Sequence, residues 1–286
     1  MNNVEFFEAL SPRVGTLRKK LGNFEISGVC SISAPKTGHV CFTQSFFLET
    51  ELPDNILVLV EPKEGAQLPE NFIEVTNARL AFAVATELLS APPLLEKLPH
   101  TAPSDVASPH AGCKISPLAS VAANARIGEN TIIEAFCTIY SDVEIGAGCY
   151  IKSGARLGGQ GFGFERDTDG VPRRIWHSGG LRIGNNVEIG CNSIVCAGTV
   201  DASEIHDHVK IDDNVLVAHN CTIGSRTMIA GCADISGSVV IGQDVWIGPR
   251  ATISSKIFIG DGASIIIGSV VARHVKPNET FAKIRS

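Results

Sequence analysis

The stretch Ile205-His206-Asp207-His208-Val209-Lys210-Ile211-Asp212-Asp213-Asn214-Val215-Leu216-Val217-Ala218-His219-Asn220-Cys221-Thr222-Ile223 decides the fold. Its aliphatic residues Ile205, Ile211, Val217 and Ile223 stand six apart. The spacing continues unbroken through Ile229, Ile235, Ile241, Ile247, Ile253, Ile259 and Ile265. An amphipathic helix repeats at three and four residues and a half-buried strand at two, so neither accounts for it. A fixed longer period is the mark of a repeat architecture.

Working outward, the same ladder runs through Val121, Ile127, Ile133, Ile139, Ile145, Ile151 and Leu157, and again through Ile183, Ile189 and Val195. It breaks at 159–180 and slips by four residues between Val195 and Ile205. The physical reading is mainly β: a parallel β-helix in which each hexad gives a short strand and a turn. The aliphatic side chain points to the axis, three hexads close one triangular coil, and stacked coils share a continuous aliphatic core. A small residue four positions after each aliphatic fills the corner; Cys137, Cys149 and Cys221 take that slot and read as packing residues.

Ahead of the ladder the chain has another character. Residues 1–22 suggest one or two short helices, broken near Ser11-Pro12. Strand-like runs follow at Phe24–Cys30, Val40–Phe42 and Ile56–Val60, and Asn77–Leu89 has helical spacing. The expected organisation is an α/β domain over 1–100, a Pro-rich linker over 101–114, and the β-helix over 115–286.

A net charge of −6 gives no reason to expect nucleic acid or an anionic membrane as partner. The nine Cys are scattered without a CxxC pair, as in a reducing compartment. The start lacks a basic and apolar leader and no apolar run approaches a membrane span, so a cytoplasmic location is expected.

Among eight His, His219 stands out because its hexad is intact on both sides. Two residues past the inward Val217, it points away from the core on a rigid rung. A neutral imidazole there can act as general base. Gly237 follows 18 residues later, one coil above, where a backbone N–H can approach a developing oxyanion. Asp212 either orients the imidazole or is a solvated turn acid. His206 and His208 flank a turn, but no three-imidazole pattern appears and no metal site is expected. The break at 159–180 must leave the coil as a loop. Its Gly161-Phe162-Gly163-Phe164 and Trp176-His177 either fold onto their own coil or wall a substrate channel contributed to a neighbouring subunit.

At these residues the chain resembles the UDP-3-O-(3-hydroxyacyl)glucosamine N-acyltransferases of lipid A assembly. The likeness rests on Ile26-Ser27-Gly28-Val29, Lys36-Thr37-Gly38-His39-Val40-Cys41-Phe42 and Asn77-Ala78-Arg79-Leu80-Ala81-Phe82. In the β-helix it rests on the Gly161–Phe164 loop, Ile211-Asp212, Val217-Ala218-His219-Asn220, Ala230-Gly231 and Ser236-Gly237-Ser238. The resemblance implies a left-handed β-helix and active sites between subunits of a homotrimer. It implies an amine on a UDP-sugar attacking an acyl thioester, with His219 as base and Gly237 N–H as oxyanion donor, and Phe42 at a uracil-stacking position. Ser45 and Leu48 replace the family's Asn and Tyr, and Ser255-Lys256 replaces its second His. The ending from Ile267 to Glu279 looks like that of acetyl-CoA-dependent sugar acetyltransferases of the same superfamily.

The expected catalytic set is therefore His219, Gly237 and Asp212, with Phe42, Phe162, Phe164, Asn220 and Lys256 binding substrate. The donor is a 3-hydroxyacyl carrier protein, or acetyl-CoA in the alternative, and no tightly bound cofactor is expected. The alternative of another class is a non-catalytic β-helix scaffold.

Overall fold

The computed structural model describes residues 1–44, 51–61, 68–90 and 112–282. Ser45, Leu48 and positions 101–111 of the expected linker lie outside them. The chain divides into two compact units: Met1–Pro92 with Gly163–His177, and Pro93–Phe162 with Ser178–Ser286.

In the first unit, α1 (Asn3–Leu10) begins at a capping box. The Asn2 side chain accepts from Val4 and Glu5 N–H, and Glu5 reaches back to Asn2 N–H. Then come β1 (Thr16–Lys20), β2 (Gly28–Val29), β3 (His39–Thr43), β4 (Leu57–Val60), β5 (Phe72–Val75) and α2 (Ala78–Ser90). The five strands form one sheet in the order β1-β5-β4-β3-β2, with only β1 antiparallel to its neighbour.

The helix suggested around Leu17–Leu21 is instead the edge strand β1. Its local pattern of one Leu among Arg and Lys decides little, and pairing of Arg18–Lys20 with Phe72–Glu74 overrides it. Lys and Arg on that edge also discourage further strand pairing. β4 is buried at every residue, which is why it reads as a continuous apolar run.

The second unit is the parallel β-helix. Three sheets of two- to four-residue strands stack along it. A first face of eight strands contains Ser120–Val121, Leu216–Val217 and Asp234–Ile235. A second face of seven contains Thr222–Ile223 and Val240–Ile241, and a third of nine contains Lys210–Ile211 and Met228–Ile229. Partners in register are 18 residues apart wherever the ladder is regular, as with Leu216↔Asp234 and Val217↔Ile235. The ladder aliphatics are buried, each contributing about 1.5–3 kcal/mol of apolar burial.

The corners depend on one backbone device that the ladder does not announce. In the regular ladder from Asn130 to Gly268 every sixth residue takes a left-handed conformation, including Asn192, Asn214, Asn220, Arg226, Cys232, Ser238, Arg250 and Lys256. For a residue other than Gly this costs about 1–2 kcal/mol. It turns the N–H down the stack: Asn214 donates to Cys191 O at 2.9 Å, Ser238 to His219 O at 2.8 Å and Lys256 to Gly237 O at 3.1 Å.

The corner cysteines pack and also donate. Cys137 Sγ reaches Lys152 O at 3.1 Å and Cys221 Sγ reaches Ser236 O at 3.2 Å, where Ser193 and Thr227 use hydroxyls at other corners. Burial pushes these thiols up, to about 11 for Cys137 and about 12 for Cys221. They are unreactive for that reason.

Both ladder breaks fall where the first face turns into the second. The first emerges after Arg156–Gly159 and returns at Leu181–Ile183; the second emerges after Ile194–Cys196 and returns at Ser203–Ile205. Gly163–His177 of the first break groups with the N-terminal unit, a division the ladder alone did not suggest. There it forms a hairpin, Phe164–Arg166 against Pro172–Arg174. Arg79 Nε lies 2.9 Å from Glu165 Oε2, and Trp176 N–H donates to Thr86 Oγ1 at 3.1 Å.

Candidate functional site

His219 stands at the corner between the first and second faces, after Leu216–Val217 and before Thr222–Ile223. Its backbone is held on both sides. Ala218 N–H donates to Ile235 O at 2.9 Å, and His219 O accepts from Ser238 N–H at 2.8 Å.

Gly237 occupies the equivalent position one coil above. A methyl group built on Gly237 would lie 2.7 Å from His219 Nε2 and 2.8 Å from Cε1. The imidazole therefore rests against the Gly237 α-carbon, in space that only Gly leaves. Stacking one coil above places the Gly237 amide roughly 4.8 Å along the axis from the His219 peptide. Among the described residues the Gly237 N–H finds no acceptor, while its carbonyl accepts from Lys256.

That amide is oriented as well as open. The preceding carbonyl, Ser236 O, takes the Cys221 thiol at 3.2 Å. A trans peptide sets its N–H opposite its C=O, so fixing the oxygen toward the corner thiol directs the Gly237 N–H the other way. An imidazole and an oriented, open N–H thus meet on adjacent coils.

Other expected residues are placed differently. Asp212 sits at the corner between the third and first faces, where its Oδ2 accepts from Gly231 N–H at 3.0 Å. A whole strand, Leu216–Val217, separates it from His219, so within one chain it does not orient the imidazole.

Asn220, expected to meet substrate, commits its amide to the coil beneath. Its Oδ1 accepts from Thr199 N–H at 2.6 Å, and its Nδ2 donates to Thr199 Oγ1 at 3.1 Å. The αL backbone of Asn220 turns the short side chain toward the extra residues of the second break. The sequence signal was that slip itself, which nothing in the hexad pattern tied to Asn220.

Lys256 is exposed at the His219 corner, two coils above Asn220 in the same left-handed position. Phe162 is 86% exposed at the end of the β-helix unit's first segment. Phe42 and Phe164 belong to the other unit. The Phe42 ring is half-buried with its centroid 4.7 Å from that of Phe82, and the Phe164 ring carries the Arg174 guanidinium at 4.6 Å.

His206 and His208 share the corner between the second and third faces. Among the described residues no three His, Cys, Asp or Glu side chains converge as a metal site would require. No helix among them is long and apolar enough to cross a membrane.

Comparison with known proteins follows the same geography. The bacterial transferase hexapeptide (six repeats) model matches residues 124–159 and 202–237, the second span containing both His219 and Gly237. A UDP-3-O-acylglucosamine N-acyltransferase of Marinomonas sp. (strain MWYL1) is 34% identical over 189 residues, 54% of this chain and 50% of that protein. One of Pseudomonas entomophila (strain L48) is 29% identical over 235 residues, 70% of this chain and 63% of that one. Among solved structures, UDP-N-acetylglucosamine acyltransferase from Campylobacter jejuni is 23% identical, with a TM-score of 0.48, covering 59% of this chain and 68% of that one. The chain carries bacterial transferase hexapeptide repeats and resembles the UDP-3-O-acylglucosamine N-acyltransferases, of which it spans between half and two thirds of the length.

Proposed function

We propose that the protein is an N-acyltransferase, moving a 3-hydroxyacyl group from a carrier-protein thioester to the amine of a UDP-linked amino sugar. The observation that carries this reading is the His219 imidazole resting on the Gly237 α-carbon, beside an amide with no protein acceptor. The named relatives support the substrate class.

In the mechanism, the sugar nitrogen attacks the thioester carbonyl while His219 accepts its proton. The carbonyl oxygen becomes an oxyanion and takes the Gly237 N–H. Collapse breaks the C–S bond, and the thiolate recovers the proton from His219. Amide and free thiol are the products. Phe42 is proposed to stack on the base of the nucleotide, and Phe162 and Phe164 to bound the sugar or acyl chain. Lys256 is proposed to contact the donor along the His219 corner.

An Asp212 carboxylate that steadies the imidazole would have to come from a second copy of the chain. The reading accordingly includes a homotrimer with sites between subunits, working in the cytoplasm.

The test is thiol release from 3-hydroxyacyl carrier protein, measured with and without UDP-amino sugar, beside acetyl-CoA as donor. Amine-dependent release from the carrier protein is expected, reduced about 10³-fold in His219→Ala. Release from acetyl-CoA alone would move the assignment to an acetyltransferase. Full release by His219→Ala would remove the mechanism.

A further inference from the structure

The coil beneath His219 is the only one among the described residues whose turn carries four extra residues. After Cys196 the chain runs through Ala197–Ala202 before rejoining the second face at Ser203. These residues form a shelf held by backbone bonds. Thr199 O accepts from Ser178 N–H at 2.9 Å, Gly198 N–H donates to Gly180 O at 2.9 Å, and Ser203 N–H donates to the same oxygen at 3.2 Å. A side chain at Gly198 would overlap the Asp201 carbonyl, so the shelf closes this tightly only with Gly.

The shelf makes its side-chain bonds upward to one residue. Thr199 offers its N–H and its hydroxyl to the two ends of the Asn220 amide, at 2.6 and 3.1 Å. Ser203 Oγ accepts the Asn220 backbone N–H at 3.0 Å. Asn220 is the next residue after the base, and its backbone is left-handed at φ +59°. Asn186, Asn192 and Asn214 hold the same conformation at other corners, and their side chains bond to no described residue. The clamp is therefore not a requirement of the turn.

We infer that Thr199 and Ser203 are positioning residues for the His219 base. Acting through Asn220, they fix from below the peptide whose carbonyl Ser238 N–H fixes from above. The backbone that carries the imidazole is thereby held on both sides, with the ring against Gly237. The slip in the ladder is thus the brace of the site. A displacement of about 1 Å in a reacting group costs about 10²-fold in rate, so partial loosening of one clamp is expected to cost about 10-fold.

This inference rests on the proposed role of His219, and the experiment separates the two. Thr199→Val removes the hydroxyl and keeps the N–H. We expect kcat for thiol release to fall about 10-fold with KM within about twofold, and Thr199→Ser to restore it. In a His219→Ala background the same Thr199→Val change is expected to have no further effect, because there is no base left to position. Ser203→Ala is the second probe, used in the same cycle where Thr199→Val does not fold. If His219→Ala abolishes the reaction but neither probe lowers kcat in a folded protein, positioning is wrong and the base stands. Equal losses in both backgrounds would make the clamp purely structural. Full activity in His219→Ala would remove base and brace together.

Discussion

Two corners of the same coil use one backbone turn for opposite purposes. Between the second and third faces, three of the N–H groups at the middle of the turn are closed by an Asx side chain from the coil above. Ala147 donates to Asn185 Oδ1 at 2.9 Å, Asn185 to Asp207 Oδ1 at 2.7 Å and Gln243 to Asp261 Oδ1 at 3.0 Å. Between the first and second faces, the corresponding column is His219, Gly237 and Ser255. Gly237 has no side chain to close the N–H of His219, and Ser255 does not close that of Gly237. The difference is one of side chains, not of fold. At the His219 corner the amide left without an acceptor among the described residues is the one beside an imidazole.

The harshest way to break this contrast is to fill the space between the imidazole and the coil above it. Gly237 is not left-handed, so Gly237→Ala asks nothing unusual of the backbone, yet its methyl would stand 2.7 Å from His219 Nε2. The ring must swing away from the open amide. We expect kcat for thiol release to drop by about 10²–10³-fold, with the melting temperature nearly unchanged. An active variant would show that the imidazole and the amide need not be in contact.

A subtler route converts the first corner into the second. Ser255→Asp puts a carboxylate one coil above Gly237, where Asp261 stands relative to Gln243. The Gly237 N–H would then be capped, and removing one oxyanion donor typically costs about 10²-fold. Stability should rise slightly or hold, since a free amide gains a partner. Loss of activity together with loss of folding would defeat the comparison. The reverse change, Asp261→Ala, frees Gln243 N–H at an exposed corner. It should leave turnover untouched and cost at most about 1 kcal/mol, a fall of about 2–4 °C in melting temperature.

The contrast was only partly legible in the sequence. The ladder from Ile205 to Ile265 carried the β-helix, because an aliphatic every sixth residue has no other packing solution, and counting along it put Gly237 over His219. What the ladder could not carry was the direction of individual side chains at corners. Asn220 is expected at substrate because it belongs to the Val217-Ala218-His219-Asn220 motif; the structure shows its amide bonded to Thr199. Asp212 looked close to His219 because seven residues separate them, yet seven residues along a triangular coil reach the next corner. The left-handed positions are masked because Arg226, Cys232 and Lys256 stand where Gly or Asn would have signalled them. In the N-terminal unit, β1 escaped notice because its pairing with β5 is a distant contact that no local pattern encodes.

The smallest expected effect concerns the thiol that orients the open amide. Cys221 Sγ bonds Ser236 O, the carbonyl of the peptide that carries Gly237 N–H, as the Thr227 hydroxyl bonds Gly242 O before Gln243. Cys221→Ser keeps a donor and should stay within about twofold of full activity. Cys221→Ala frees the carbonyl at a net cost of about 0.5–1.5 kcal/mol, and slackening of the amide should lower kcat about threefold. Equal activity in Ser and Ala variants would mean that strand pairing alone holds the peptide. The thiol's own titration gives an independent check. Burial raises it from 9.0 to about 12, so the folded thiol stays protonated and donating from pH 6 to pH 9, and iodoacetamide at pH 8 should modify exposed Cys232 but not Cys221. Above pH 9 the unfolded chain loses this proton while the folded chain keeps it, so the raised pKa lowers stability as pH climbs toward 12. Cys221→Ser should flatten that alkaline fall, because a serine hydroxyl does not titrate there; an unchanged slope would place the buried thiol outside the linkage.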